Sequence, residues 1–252
     1  MKINRNALKY IAIIAMVIDH IAWSFVPTYS VLGQILHFIG RLTGPIMAYM
    51  LYEGYVHTRD IKKYALRLGI FALVSWVAYS LYETHRWPTM QFGVIYTLFL
   101  ALLTIWMWDK ANIKKGLKIA LVVLACGLSF FGDWPIFDVL WPLLLFINRD
   151  DPRKKWRSFI IITVAEVLGA QFMSITSDRP FRQVFQFGAF LVPPILMYMY
   201  NGEPGSRKAF HKWFFYIFYP LHLIVLMLLE VYVFLCYNLL CRRQKQIKSR
   251  KR

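Results

Sequence analysis

The sequence predicts an all-α protein, a polytopic integral membrane bundle of nine or ten transmembrane helices. Three observations predict it. Of the 252 residues, 58% are hydrophobic and only 17% charged, where a soluble domain carries about a quarter of its residues as charges. The apolar residues are gathered into blocks separated by short polar connectors. The Lys and Arg residues fall almost entirely into alternate connectors.

The blocks run in order over 8–26, 35–56, 68–82, 91–108, 116–131, 135–147, 158–173, 183–200 and 213–240. A hydrocarbon core of roughly 30 Å needs about 20 residues of helix at 1.5 Å per residue. Most of the blocks reach or approach that length. The first begins close to Met1 and lacks a small-residue cleavage site, so it reads as a retained spanning helix. The second contains Gly40, Gly44 and Pro45, which permit close helix approach and interrupt the hydrogen-bond ladder. The block at 135–147 is short and is expected to be tilted, re-entrant or set in thinned bilayer. The last carries Pro220 near its start, which leaves a broken or re-entrant path open. Residues 1–241 then form one membrane domain and 242–252 a basic tail.

The net charge of +17 is mainly a topology signal. The N-terminus and the connectors 57–67, 109–118, 148–157 and 201–212 hold 19 Lys and Arg, against three in 27–34, 83–90, 131–134 and 174–182. Under the positive-inside rule the amino end faces the cytoplasm. Nucleic acid is excluded as a partner, and the lipid bilayer is expected as one. The tail conflicts with nine crossings, since it adds seven basic residues to what should be the far side. Cys126, Cys236 and Cys241 lie in apolar surroundings with no metal or disulfide spacing, so no metal is expected.

Ionisable residues inside apolar segments are costly and mark functional sites. They are Asp19, His20, Arg41, Glu53, Glu166, His222 and Glu230, with His37 near a helix end. Lys9 and His20 are eleven residues apart, so they share a helix face about 16 Å apart along the axis. Asp19 points about 100° away from His20. In a tight hairpin centred near residue 30, Arg41 comes level with His20, and Glu53 level with Lys9. Glu53 and His57 share a face near the amino-end mouth, beside the basic stretch Arg59 to Arg67. Trp23, Trp87, Trp134 and Trp141 read as interfacial belt residues.

The run Leu8-Lys9, Met16, Asp19-His20, then Gly40-Arg41-Leu42, Pro45, then Glu53-Gly54-Tyr55, Thr58-Arg59, Tyr64 and Arg67-Leu68 resembles the TraX family. Tyr200-Asn201-Gly202 and Phe215 to Leu223 look like its C-terminal signature. The resemblance is dense over 7–83 and 197–224. It implies a multi-pass bacterial cytoplasmic-membrane acetyltransferase, since the family's namesake acetylates the N-terminus of a conjugative pilin. The Lys9-to-His20 spacing is also similar to the Arg-to-His spacing in the first helix of bacterial membrane O-acyltransferases. Lys9 departs from that pattern and loses the bidentate fork of Arg.

With the resemblance, the expected reaction moves an acetyl group from cytoplasmic acetyl-CoA to an amine, as a peptide, a pilin-like N-terminus or a small molecule. His20 is the expected base, assisted by Asp19, with Arg41 on the developing oxyanion. Lys9, Glu53, His57, Arg59 and Arg67 are the expected donor-binding residues, and Tyr219 and His222 further site residues. O-acetylation of a glycan or lipid headgroup is the rival reaction. A transporter using Asp19, His20, Glu53 and Glu166 as a proton relay, or a non-catalytic assembly factor, are the rivals of other classes. A homo-oligomer is compatible with the sequence.

Overall fold

The computed structural model describes residues 2–177, 182–206 and 208–250, without the side chains of Ala209, Lys212 and 239–250. It is the helical bundle the sequence predicts. Among the described residues the one β contact is an isolated bridge between Ile3 and Tyr200.

The helices are α1 (Arg5–Phe25), α2 (Val31–Gly40), α3 (Thr43–His57), α4 (Ile61–Thr84), α5 (Val94–Lys110), α6 (Lys115–Leu128), α7 (Phe137–Ile147) and α8 (Pro152–Thr176). Residues 184–199 form a mixed helical segment: 3₁₀ over Val184–Leu191, one α turn (α9, Val192–Pro194), then π over Ile195–Met199. The adjacent Pro193 and Pro194 remove two successive amide donors, so a regular α ladder cannot run through them. The last helix, α10, spans Ala209–Arg250. Several starts are capped as the sequence allows. Asn4 accepts from Ala7 N, Ser30 from Gly33 N, Asp60 from Lys63 N, and Asp151 from the amides of Arg153 and Lys154. Each cap satisfies donors that the first turn leaves open.

Contacts at the two ends show the path of the chain. At the amino end, Arg5 meets Glu53, Tyr10 meets His211, Tyr55 meets Asp109, and Tyr49 stacks on Trp156. At the distal end, His20 meets Tyr82 and His222, Tyr79 meets Asp133, and His85 meets Glu230. The chain therefore runs back and forth between the ends.

The structure corrects two details of the sequence reading, at 35–56 and at the last segment, and shows what surrounds the short block 135–147. The block 35–56 is two helices, α2 and α3, broken at Arg41–Leu42. Pro45 lies in the first turn of α3, where its missing amide is tolerated. The short α7 packs against α3, α5 and α8, so protein rather than lipid surrounds it, and Val139, Trp141 and Leu145 are fully buried. The last segment follows neither a broken nor a re-entrant path. It is one helix through Pro220, about 63 Å long at 1.5 Å per residue.

Burial is inverted relative to a soluble protein. Ile14, Leu66, Val123, Leu168 and Phe172 are more than half exposed, while Asp19, His37, Glu53, Asp138 and Glu166 are buried. Four helices, Arg5–Phe25, Ile61–Thr84, Pro152–Thr176 and Trp213–Asn238, are long and apolar enough to cross a membrane. Only a bilayer makes such an outer face stable. This is a membrane protein.

Gly40 faces α1 so closely that a Cβ there would collide with the Asp19 carboxylate. Gly40→Ala is expected to lower stability by about 1–3 kcal/mol through overpacking, read as a fall in melting temperature in detergent. Gly127, whose Cβ would meet nothing within 4 Å, is the control: Gly127→Ala should be neutral or slightly stabilising.

Candidate functional site

The break after Gly40 sets Arg41 against α1. Asp19 accepts from Arg41 Nη2 at 2.6 Å through Oδ2 and from His37 Nδ1 at 2.8 Å through Oδ1. Trp23 Nε1 adds a third hydrogen bond to Asp19 at 3.3 Å. His37 is wholly buried and lies against Trp23 and Phe185. The Arg41 guanidinium lies over the rings of Trp134 and Phe185, at 4.7 and 5.1 Å. A buried ion pair is sustained only by such additional partners, and the aromatic faces supply cation–π contacts.

His20 stands beside this cluster. Its Nδ1 donates to the Met16 carbonyl at 2.9 Å and lies 3.3 Å from His222 Nε2. His222 in turn donates from Nδ1 to the Phe218 carbonyl at 3.0 Å, which leaves its Nε2 as an acceptor. The Met16 and Phe218 carbonyls thus set the two tautomers, with the His20 Nδ1 proton shared with His222 Nε2. The remaining nitrogen of His20, Nε2, is then a lone-pair acceptor.

Asp19, His20 and Arg41 line a distal-end chamber of about 780 Å³. Its other walls include Tyr79 and Tyr82 from α4, Asp133 and Trp134 from the 129–136 loop, and Glu166 from α8. A second cavity of about 370 Å³ lies toward the amino end, lined by Arg5, Lys9, His57, Arg67 and Lys208 among others. Both cavities are lined in part by α5, Val94 facing the first and Ile95 and Leu98 the second.

A family model described as TraX protein matches residues 4–230. The chain belongs to the TraX family. It is also similar to the probable fimbrial assembly protein FimC, serogroup H1, of Dichelobacter nodosus, at 32% identity over 234 residues, covering 87% of this chain and 92% of that one. No solved structure matches it.

In this TraX-family chain the residues singled out from the sequence fall into two groups. Asp19, His20 and Arg41 meet at the distal chamber, three-quarters of the way along α1 rather than at its middle. Arg41 pairs with Asp19, not with His20. Lys9, His57 and Arg67 line the amino-end cavity. There Lys9 lies 5.0 Å from the Phe215 ring, and Arg67 lies over Tyr64 and Tyr216 at 5.5 and 5.3 Å. Glu53 is withheld from that cavity by Arg5 Nε at 3.0 Å and the Tyr200 hydroxyl at 2.6 Å. Arg59 is exposed and absent from the cavity lining. Tyr219 is buried, its hydroxyl 3.3 Å from the Val94 amide, and His222 supports His20 from outside the chamber.

Sequence reasoning missed Asp133, Tyr79, Tyr82 and Trp134, which reach the chamber from a loop and from α4. The belt reading of the tryptophans fails for Trp141, which is buried, and leaves out what Trp23 and Trp134 do in the site. Trp134 covers Arg41, Trp23 bonds Asp19, and Trp141 is fully buried against Thr163. The Trp23–Asp19 bond is a local i, i+4 contact within α1, whereas the contacts of Trp134 and Trp141 are tertiary.

Asp133, in the loop between α6 and α7, has its carboxyl pushed up to about 6 by burial, with the Tyr79 hydroxyl at 2.6 Å opposing the rise. A raised carboxyl pKa means the folded state holds more protons than the unfolded one. Stability is therefore expected to fall as pH rises from about 4 to 6. Asp133→Asn should flatten that slope in pH-dependent melting curves. Removing the Asp19 carboxylate strands a buried guanidinium, so Asp19→Ala is expected to cost about 3–5 kcal/mol. Asp19→Ala combined with Arg41→Ala should cost less than the sum of the single changes in the same melting assay.

Proposed function

We propose that this protein is a membrane-embedded acetyltransferase that moves an acetyl group from cytoplasmic acetyl-CoA to an amine at or across the membrane. The observation that carries the proposal is the tautomer lock on His20. Met16 and His222 hold its Nδ1 proton, which leaves an Nε2 lone pair on a residue that lines the distal chamber. A neutral imidazole there is suited to general-base work near pH 7.

The acceptor amine attacks the thioester carbonyl, the C–S bond breaks, and the amine's proton passes through His20 Nε2 to the departing thiolate. Arg41 is held rigid by Asp19 and by the Trp134 and Phe185 rings. Its Nε has no partner, so it retains donor capacity for the developing oxyanion. Asp19 acts on Arg41 and His37, and so positions the site rather than assisting His20 by direct contact.

The amino-end cavity supplies the donor side. Arg5, Lys9, Arg67 and Lys208 gather positive charge where phosphates of acetyl-CoA would lie, on the end that the positive-inside asymmetry assigns to the cytoplasm. The thioester must then reach from the level of Lys9 to that of His20, about 16 Å along α1. An acceptor of the pilin class agrees with the fimbrial-assembly name of the relative. That name also favours a second reading, a non-catalytic assembly factor.

Acetyl transfer to a peptide amine by purified protein tests the proposal. His20→Ala is expected to lose about 10²–10⁴-fold in rate while still binding acetyl-CoA. Arg67→Ala should weaken acetyl-CoA binding by roughly tenfold or more, and Arg59→Ala should do less. Full transfer by His20→Ala would contradict the assignment. An assembly factor would retain its role in His20→Gln.

A further inference from the structure

We infer that Glu166 is the carboxylate that receives the acceptor's ammonium group, in a subsite beside Gly169 on α8. The inference rests on the acetyltransferase reading for its place in a reaction, but not for the binding itself. It starts from a contrast of charge. The chain carries a net charge of +17, yet the distal chamber is lined by five carboxylates, from Asp19, Glu83, Asp133, Glu166 and Glu230, and by one guanidinium, Arg41.

Four of the five carboxylates are accounted for. Asp19 is paired with Arg41 and His37. Asp133 accepts from Tyr79. Glu230 lies 3.4 Å from His85, and Glu83 is exposed. Glu166 is different. It is only 5% exposed, its Oε2 has no hydrogen-bond partner, and no ion pair reaches it among the described residues. Arg41 shares the chamber but gives its terminal nitrogens to Asp19 and Gln186.

A buried carboxylate without a partner is costly, and a ligand that brings a cation with several N–H donors removes that cost. The space for one is present. Gly169 follows three residues after Glu166 on the same helix face. A Cβ built there would meet nothing within 4 Å, and Gly169 and Ala170 line the chamber with Glu166. A primary ammonium matches this subsite, and a hydroxyl acceptor brings no charge to it. An ammonium cannot attack a thioester, so one proton must first leave. His20 Nε2, on another wall of the same chamber, takes it and releases it to water, and is then free for the second proton, which leaves the nitrogen after attack and goes to the thiolate. Glu166 thereby selects amine over alcohol and holds the amine for deprotonation.

The experiment is calorimetric binding to the detergent-purified full chain with no acetyl donor present. The probes are trialanine amide, which carries a free α-amine, and propionyl-Ala-Ala amide, which lacks only that amine. Wild type is expected to bind trialanine amide at least tenfold more tightly. Glu166→Gln should erase that preference while keeping its melting temperature and acetyl-CoA binding, and Glu166→Asp should restore part of it. If Glu166→Gln does not fold, Gly169→Leu fills the neighbouring space without changing charge and should weaken amine binding to a similar degree. A preference kept by folded Glu166→Gln, or by Gly169→Leu where it is the variant used, overturns the inference. So does a wild type that binds acetyl-CoA but shows no amine preference. Amine preference without any acetyl-CoA binding upholds the cation subsite and overturns the acetyltransferase reading instead.

Discussion

The Asp19 carboxylate is the constraint around which the distal half of the bundle is arranged. A charge in a low-dielectric interior must be matched by partners of good geometry, and Asp19 takes three from two directions. Trp23 comes from its own helix, while His37 and Arg41 come from α2 and the turn that ends it. Those last two can arrive only if α2 approaches α1 closely and then stops. Gly40 permits the approach, and the break at Arg41–Leu42 provides the stop. Once Arg41 is fixed, Trp134 can lie over it, which brings the loop carrying Asp133 into the chamber wall. The site is thus assembled by satisfying one buried charge.

The two ends of the molecule have opposite electrostatic character. The amino end concentrates cations, and the small cavity there is lined by four of them. The distal chamber is acidic apart from one neutralised arginine. A phosphate-bearing donor suits the first and a cationic acceptor the second. His20 sits on the helix that joins them, on the same face as Lys9 and about three turns away. In the proposed reaction, α1 therefore sets the distance over which the donor's reactive group would have to reach.

Much of this was legible in the sequence. The apolar blocks located the helices, with 35–56 divided into two, because a helix of a membrane bundle is apolar along its length whatever it packs against. The co-location of Asp19, His20 and Arg41 followed from helical periodicity and one short connector. The pairing within that trio did not. Whether Arg41 meets Asp19 or His20 depends on the bend at Arg41–Leu42, and Gly40, Gly44 and Pro45 signal a bend without fixing its angle. The same bend shifts the register of α3, so Glu53 meets Arg5 rather than Lys9. Loop residues such as Asp133 and Trp134 carry no periodicity, and nothing local ties them to α1. The role of His222 was equally hidden, since its contact with His20 joins positions about two hundred residues apart.

The central claim is that donor and acceptor enter from opposite ends and meet at His20. Oriented proteoliposomes test it most directly, with acetyl-CoA supplied only on the amino-end side and an impermeant peptide amide only on the other. The account predicts N-acetylated peptide on the far side, formed by wild type and lost in His20→Ala. Product formed only when donor and acceptor share one side, or formed equally by His20→Ala, would contradict it.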